Sequence, residues 1–170
     1  MTLSPTPSQT AGPFFSFGLC DRRANELVEP DAAGAVRLAG TVLDGAGDAV
    51  PDALVEIWQA DAEGSHRDGF GWGRCGTDEQ GRYEFVTVKP GPVQGQAPHL
   101  SVLVFARGLL RPVLARMYFP DEVDANGSDP VLAALDDAAD RATLVAVPEA
   151  DGLRFDVRLQ GDGQTAFFAL

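Results

Sequence analysis

The chain has 170 residues, enough for one domain with a sizeable core, and its 19 glycines and 12 prolines favour strands and turns over long helices. A formal net charge of -12 leaves no basic face for phosphate and excludes nucleic acid as a partner. No apolar run approaches the roughly 18 residues of a membrane span, and Met1 to Thr10 lacks the basic start and apolar core of a secretory signal, so the expected location is the cytoplasm, with no membrane partner.

Residues 1–35 read as an N-terminal arm and connecting segment, and 36–170 as the folded domain. Met1 to Thr10 carries two prolines and no periodicity, which suits an extended arm. Ala11-Gly12-Pro13-Phe14-Phe15-Ser16-Phe17 follows. Leaving each of its three phenylalanines in water would forfeit about 1.5–3 kcal/mol, so they cap this chain's own core or lie on another chain. Cys20 could pair with Cys75; in a reducing cytosol both are free thiols. Asp21 to Ala35 is polar and reads as loop. Val36 to Leu43 is a strand stopped by Asp44-Gly45, and Leu54 to Gln59 is a second. Asp61 to Gly76 is a glycine-rich loop holding His66, Phe70, Trp72 and Cys75. Tyr83 to Val88 alternates, with Tyr83 and Phe85 on the inner face. Lys89 to Pro98 is rich in Pro and Gly and breaks the ladder. Leu100 to Ala106 is nearly all apolar, which predicts cover on both faces. Val113 to Phe119 alternates again. Pro120 to Gly127 is acidic loop, after which Ser128 or Asp129 caps a short helix with Pro130 at its first position and Leu132 and Leu135 facing inward. Thr143 to Val147 is a short strand. Leu153 to Gln160 alternates, with Leu153, Phe155, Val157 and Leu159 inside. The tail Phe167 to Leu170 is apolar and needs cover, here or on a partner. About eight short strands separated by turn signals predict an all-β protein: an antiparallel β-sandwich with an extended N-terminal arm and one short helix.

Two histidines and two tyrosines are a count that could bind ferric iron. Their positions argue against it. Tyr83 and Tyr118 lie in strands, and His66 and His99 show no metal-ligand spacing; His99 reads as a partly buried histidine bonded to backbone. No nucleophile motif, P-loop or dinucleotide fingerprint is present. Arg107 ends the buried run Leu100 to Ala106, either as an edge residue with its head in water or as an anion contact at a pocket rim.

The segments Ser8-Gln9-Thr10-Ala11-Gly12-Pro13-Phe14, Glu56-Ile57-Trp58-Gln59-Ala60-Asp61, Gly81-Arg82-Tyr83, Thr87-Val88-Lys89-Pro90-Gly91 and Ala97-Pro98-His99, in this order and spacing, resemble the intradiol ring-cleaving dioxygenase family. Phe105-Ala106-Arg107-Gly108, Arg116-Met117-Tyr118-Phe119 and the tail from Phe155 make the resemblance most specific to the alpha-type chains of its heteromeric members. Catalytic chains of the family hold Fe(3+) with two tyrosines and two histidines. Here no tyrosine occurs between Gln59 and Arg82, Val93 stands at the second tyrosine position, and Gln96-Ala97-Pro98-His99-Leu100-Ser101 keeps one histidine of a His-x-His pair, with Gln96 where those chains have arginine. The resemblance therefore implies a chain without metal ligands or catalytic residues of its own. It would work in an alpha-beta hetero-oligomer beside a homologous beta chain that carries the iron. It implies substrate-binding roles for Thr10, Gly12, Pro13 and Arg107. The reaction would be cleavage of 3,4-dihydroxybenzoate by O2 to 3-carboxy-cis,cis-muconate, a step of the beta-ketoadipate route for aromatic breakdown. The alternative is a non-enzymatic, transthyretin-like binding module built on the same sandwich.

Overall fold

The computed structural model describes residues 4–20 and 23–169 and, within the first helix, every side chain except those at 13, 16 and 17. Among the described residues, nine strands form two sheets. In the first, β1 (Ala35–Leu43) lies between β4 (Arg82–Val88) on one side and β8 (Gly152–Arg154) with β9 (Val157–Arg158) on the other, and β7 (Val147–Glu149) closes the edge beyond β8. The second runs β3 (Trp72–Gly76), β2 (Leu54–Trp58), β5 (His99–Phe105), β6 (Val113–Tyr118), antiparallel throughout. Their inner faces meet in one core that includes Leu38, Val42, Phe85, Val55, Ile57, Val102, Val104 and Met117. This is the expected β-sandwich, each strand presenting alternate residues to the core.

The two C-terminal strands depart from the antiparallel expectation: both pair with β1 in parallel, Leu38 opposite Leu153 and Val42 opposite Val157. The inward set of that run holds, with Phe155 and Val157 fully buried, but the ladder breaks between β8 and β9. The break frees the Phe155 carbonyl, which accepts the Tyr83 hydroxyl. Tyr83 crosses directly over Gly40, where an added Cβ would sit 1.9 Å from the Phe155 carbonyl oxygen and 2.7 Å from the tyrosine ring. Burial pushes the Tyr83 phenol far above its ordinary pKa, so it is a protonated donor.

Among the described residues, four short helices replace the single one expected. The Asp129 cap and Pro130 start form as read: Asp129 accepts from the Val131 and Leu132 amides, heading α3 (Pro130–Ala133). α2 (Val123–Ser128) occupies the expected acidic loop, and α4 (Ala138–Ala142), capped by Asp137, runs into the segment expected to be a strand. There the Leu144 and Val145 amides still bond back to Arg141 and Ala142, so only a single bridge, Val145 to Tyr118, forms. The fourth helix, α1 (Pro13–Leu19), carries the phenylalanines of the arm. β3 forms inside the expected glycine loop. Gly73 suits the close approach there: a Cβ would meet the tip of the Leu27 side chain at 2.5 Å and the Ala24 carbonyl oxygen at 3.2 Å.

Residues 24–27 bridge the sheets: Ala24 accepts the Arg74 amide of β3, and Asn25 accepts the Val86 amide of β4. β5 is buried on its inward face but only half-buried on the other, not covered on both as its apolar run predicts. At Phe105 that outer face is covered by Phe15 of α1, ring centroids 5.5 Å apart, whereas Phe14 stands 83 % exposed. The tail is partly covered within the chain: Phe167 packs against both core clusters and Phe168 pairs with Leu114, both half-buried, while Ala169 is exposed; Leu170 lies outside the described residues. Among the described residues no helix is long and apolar enough to cross a membrane.

Candidate functional site

The arm and the turn between β5 and β6 enclose a concavity of about 400 Å³. Its lining includes Thr10 and Gly12 of the arm, Phe15 of α1, Phe105 of β5, and Ala106, Leu109, Leu110 and Arg111 of the turn. One hydroxyl ties the arm to the turn. Thr10 Oγ1 accepts the Gly108 amide at 2.7 Å and lies 3.4 Å from the Ala106 carbonyl, to which it can donate. It thus grips the backbone on either side of Arg107. Gly108 takes φ +87°, which favours glycine, and Leu109 packs into the core, so the turn is anchored at both ends.

Of the residues singled out in the sequence, Thr10 and Gly12 come together in this lining. Arg107 is exposed beside the lining rather than in it, and among the described residues it has no ion pair. Pro13 begins α1, but its side chain lies outside those described. At Gly12 an added Cβ would meet nothing within 4 Å, so this chain's own packing does not demand glycine there. Sequence reading missed Arg111, which belongs to no periodic run; its signal is a charged residue before Pro112 at the start of a strand.

The four side chains that could ligate iron are dispersed. Tyr83 is in the core. His66 stacks flat on Trp58, centroids 4.1 Å apart. His99 Nδ1 lies 2.8 Å from the Ala97 carbonyl oxygen, the backbone bond expected at this loop-to-strand step. Burial chiefly, with Arg116 also opposing, holds His99 below its ordinary pKa, so it is neutral at pH 7. Tyr118 is fully buried beside it, its hydroxyl 3.2 Å from Asp129 Oδ1 and 3.4 Å from Arg116 Nη1, and burial pushes its phenol up to about 12. The other Asp129 oxygen accepts the Ala97 amide, and Gln96 Oε1 accepts from Arg116 at 2.8 Å. The network braces the Lys89–Pro98 loop against α3; its polar atoms already have partners.

A family model described as dioxygenase matches residues 12–161. This chain belongs to the intradiol dioxygenase family. Within the family it is 40% identical to the protocatechuate 3,4-dioxygenase alpha chain of Pseudomonas putida, over 98% of this chain and 96% of that one. It is 42% identical to the alpha chain of Burkholderia cepacia, over 98% of both. Against the Burkholderia cepacia beta chain the likeness is 32%, over 75% of this chain and 65% of the other. Among solved structures, the dioxygenase domain of a carbohydrate-binding fusion from Streptomyces sp. SirexAA-E superposes with a TM-score of 0.66 at 29% identity, covering 93% of this chain and 99% of that one.

Intradiol dioxygenases use non-heme iron, and the side chains here do not fit a two-tyrosine, two-histidine centre. Tyr83 and Tyr118 point into separate clusters with their hydroxyls bonded to protein groups. Val93 and Ser101 offer no ligand to match His99. Among the described residues no group of three or more His, Cys, Asp or Glu converges.

Proposed function

We propose that this chain is the iron-free alpha subunit of a protocatechuate 3,4-dioxygenase, paired with a homologous beta chain that holds Fe(3+). Its end-to-end likeness to alpha chains carries the reading, and the dispersed tyrosines and histidines agree with it. The implied reaction inserts both oxygens of O2 between the hydroxyl-bearing carbons of 3,4-dihydroxybenzoate, giving 3-carboxy-cis,cis-muconate. In it, this chain binds and orients. The arm presents backbone at Gly12 and Pro13 to the substrate ring, since neither residue holds a bulky side chain over it. Thr10 fixes the arm against the β5–β6 turn. Arg107 faces solvent, has no carboxylate partner among the described residues, and supplies a planar donor for the substrate carboxylate. Local positive charge there offsets the repulsion of an anion by a protein of net charge -12.

The test is co-production with a homologous beta chain, followed by oxygen uptake on 3,4-dihydroxybenzoate. Turnover is expected from the complex and from neither chain alone, and the isolated chain given ferric iron should stay colourless. A tyrosinate-to-iron charge-transfer band in the isolated chain would overturn the reading.

A further inference from the structure

We infer that Arg111 is a specificity-determining residue for the substrate's carboxylate, acting from within the arm concavity; this rests on the subunit reading above. Six arginines and the single lysine of this acidic chain are committed to carboxylates: Arg23, Arg37, Arg67, Arg74, Arg82, Arg154 and Lys89. Arg116 and Arg141 are occupied by Gln96 and by the Leu135 carbonyl. Arg111 is exposed and, like Arg107 and Arg158, has no ion pair or side-chain hydrogen bond among the described residues; of these three it is the one that lines the concavity. In a chain with 25 acidic and 13 basic residues, a guanidinium without a carboxylate at a cavity wall is available for an anion from outside.

The rest of the wall selects which anion. Phe15, Phe105, Leu109 and Leu110 are apolar, and one cation at an apolar wall suits a flat ring bearing a single negative group. The backbone of Arg111 is also restrained. Leu109 is packed into the core two residues before it, and Pro112 follows, which biases Arg111 to extended backbone. A side chain launched from a fixed point holds an anion with less loss of freedom than one on a loose loop. Arg111 then acts together with Arg107, which stands beside it at the rim, in separating a carboxylated catechol from a neutral one.

The complex with a beta chain is prepared with Arg111→Ala, Arg111→Lys and Arg111→Glu and assayed on 3,4-dihydroxybenzoate and on catechol, which lacks the carboxylate. Binding of 3,4-dihydroxybenzoate is also titrated without O2. For Arg111→Ala we expect kcat/KM on the acid to fall about tenfold through KM, with weaker anaerobic binding and catechol turnover changed by less than about twofold. Lysine should restore part of the loss and glutamate deepen it. Equal loss on both diols, no change on either, or a complex that dissociates overturns the assignment while leaving the subunit reading intact. A wild-type complex that cleaves neither diol overturns both.

Discussion

Two side chains carry contrasting predictions. The backbone on either side of Arg107 is anchored by Thr10, and the Arg107 side chain has no ion pair among the described residues. Hydrogen bonds to a charged group contribute about 1.5–3 kcal/mol, so Arg107→Ala in the complex should raise KM for 3,4-dihydroxybenzoate about ten- to a hundredfold. Lysine should rescue it only in part, for want of the planar fork. Steady-state kinetics on the acid and on catechol check this: loss on both would make Arg107 a brace and not a substrate contact. His99 works on stability instead. Burial lowers its pKa in the fold below the ordinary 6.5, so below that pH the unfolded chain binds more protons and stability falls. Asp129 partly counters the shift, while Arg116 and His66 reinforce burial. Urea midpoints at about pH 7 and about pH 5.5 should therefore differ, and differ less in His99→Gln. An unchanged pH slope in the variant would show that His99 is not the titrating group.

Elements differ in how openly the sequence declared them. Asp129 before Pro130 is a local signature, and its helix forms as read, because a cap depends on a few neighbouring dihedrals. The inward positions of Leu153 to Leu159 were equally plain, but not the direction of their pairing, which is set by β1, far away in sequence. β3 could not be seen: its Gly73, Gly76 and Arg74 have no strand pattern, and close approach of residues 24–27 decides its fold. α1 was hidden by its phenylalanines, which read as an arm seeking cover; one of them, Phe15, finds it on Phe105. At the site, Thr10 and Gly12 were legible only through resemblance, since a hydroxyl bridging a loop amide and a loop carbonyl leaves no periodic trace. That bridge is testable. Thr10→Val keeps the shape and removes the acceptor for the Gly108 amide, which should loosen the arm at a cost of about 1 kcal/mol or less, because the amide can turn to water. Limited proteolysis should then cut the arm faster, while the urea midpoint moves little. Equal cutting of both proteins would mean that α1, not Thr10, holds the arm.

At the scale of the molecule, what stays exposed is as telling as the core. Phe14 is 83 %, Leu110 63 % and Trp72 49 % exposed, large apolar groups for an isolated chain. If a beta chain covers them, sedimentation of the isolated chain at micromolar concentration should show self-association or precipitation, relieved on co-production; a clean, persistent monomer would argue against an obligate partner. Partnering of another kind is built into the first sheet. The Thr41 amide bonds to Asp156 across 115 positions, and among the described residues the strands that pair with β1 on that side are β8 and β9. A strand made early in translation therefore keeps an open edge until nearly the whole chain has left the ribosome. Synthesis runs at roughly 5–20 residues per second, so the nascent protein spends seconds as a half-built sheet able to pair with any strand that passes. Synonymous codons that slow the ribosome after β6 would lengthen that exposure and lower the soluble yield of an unaltered protein.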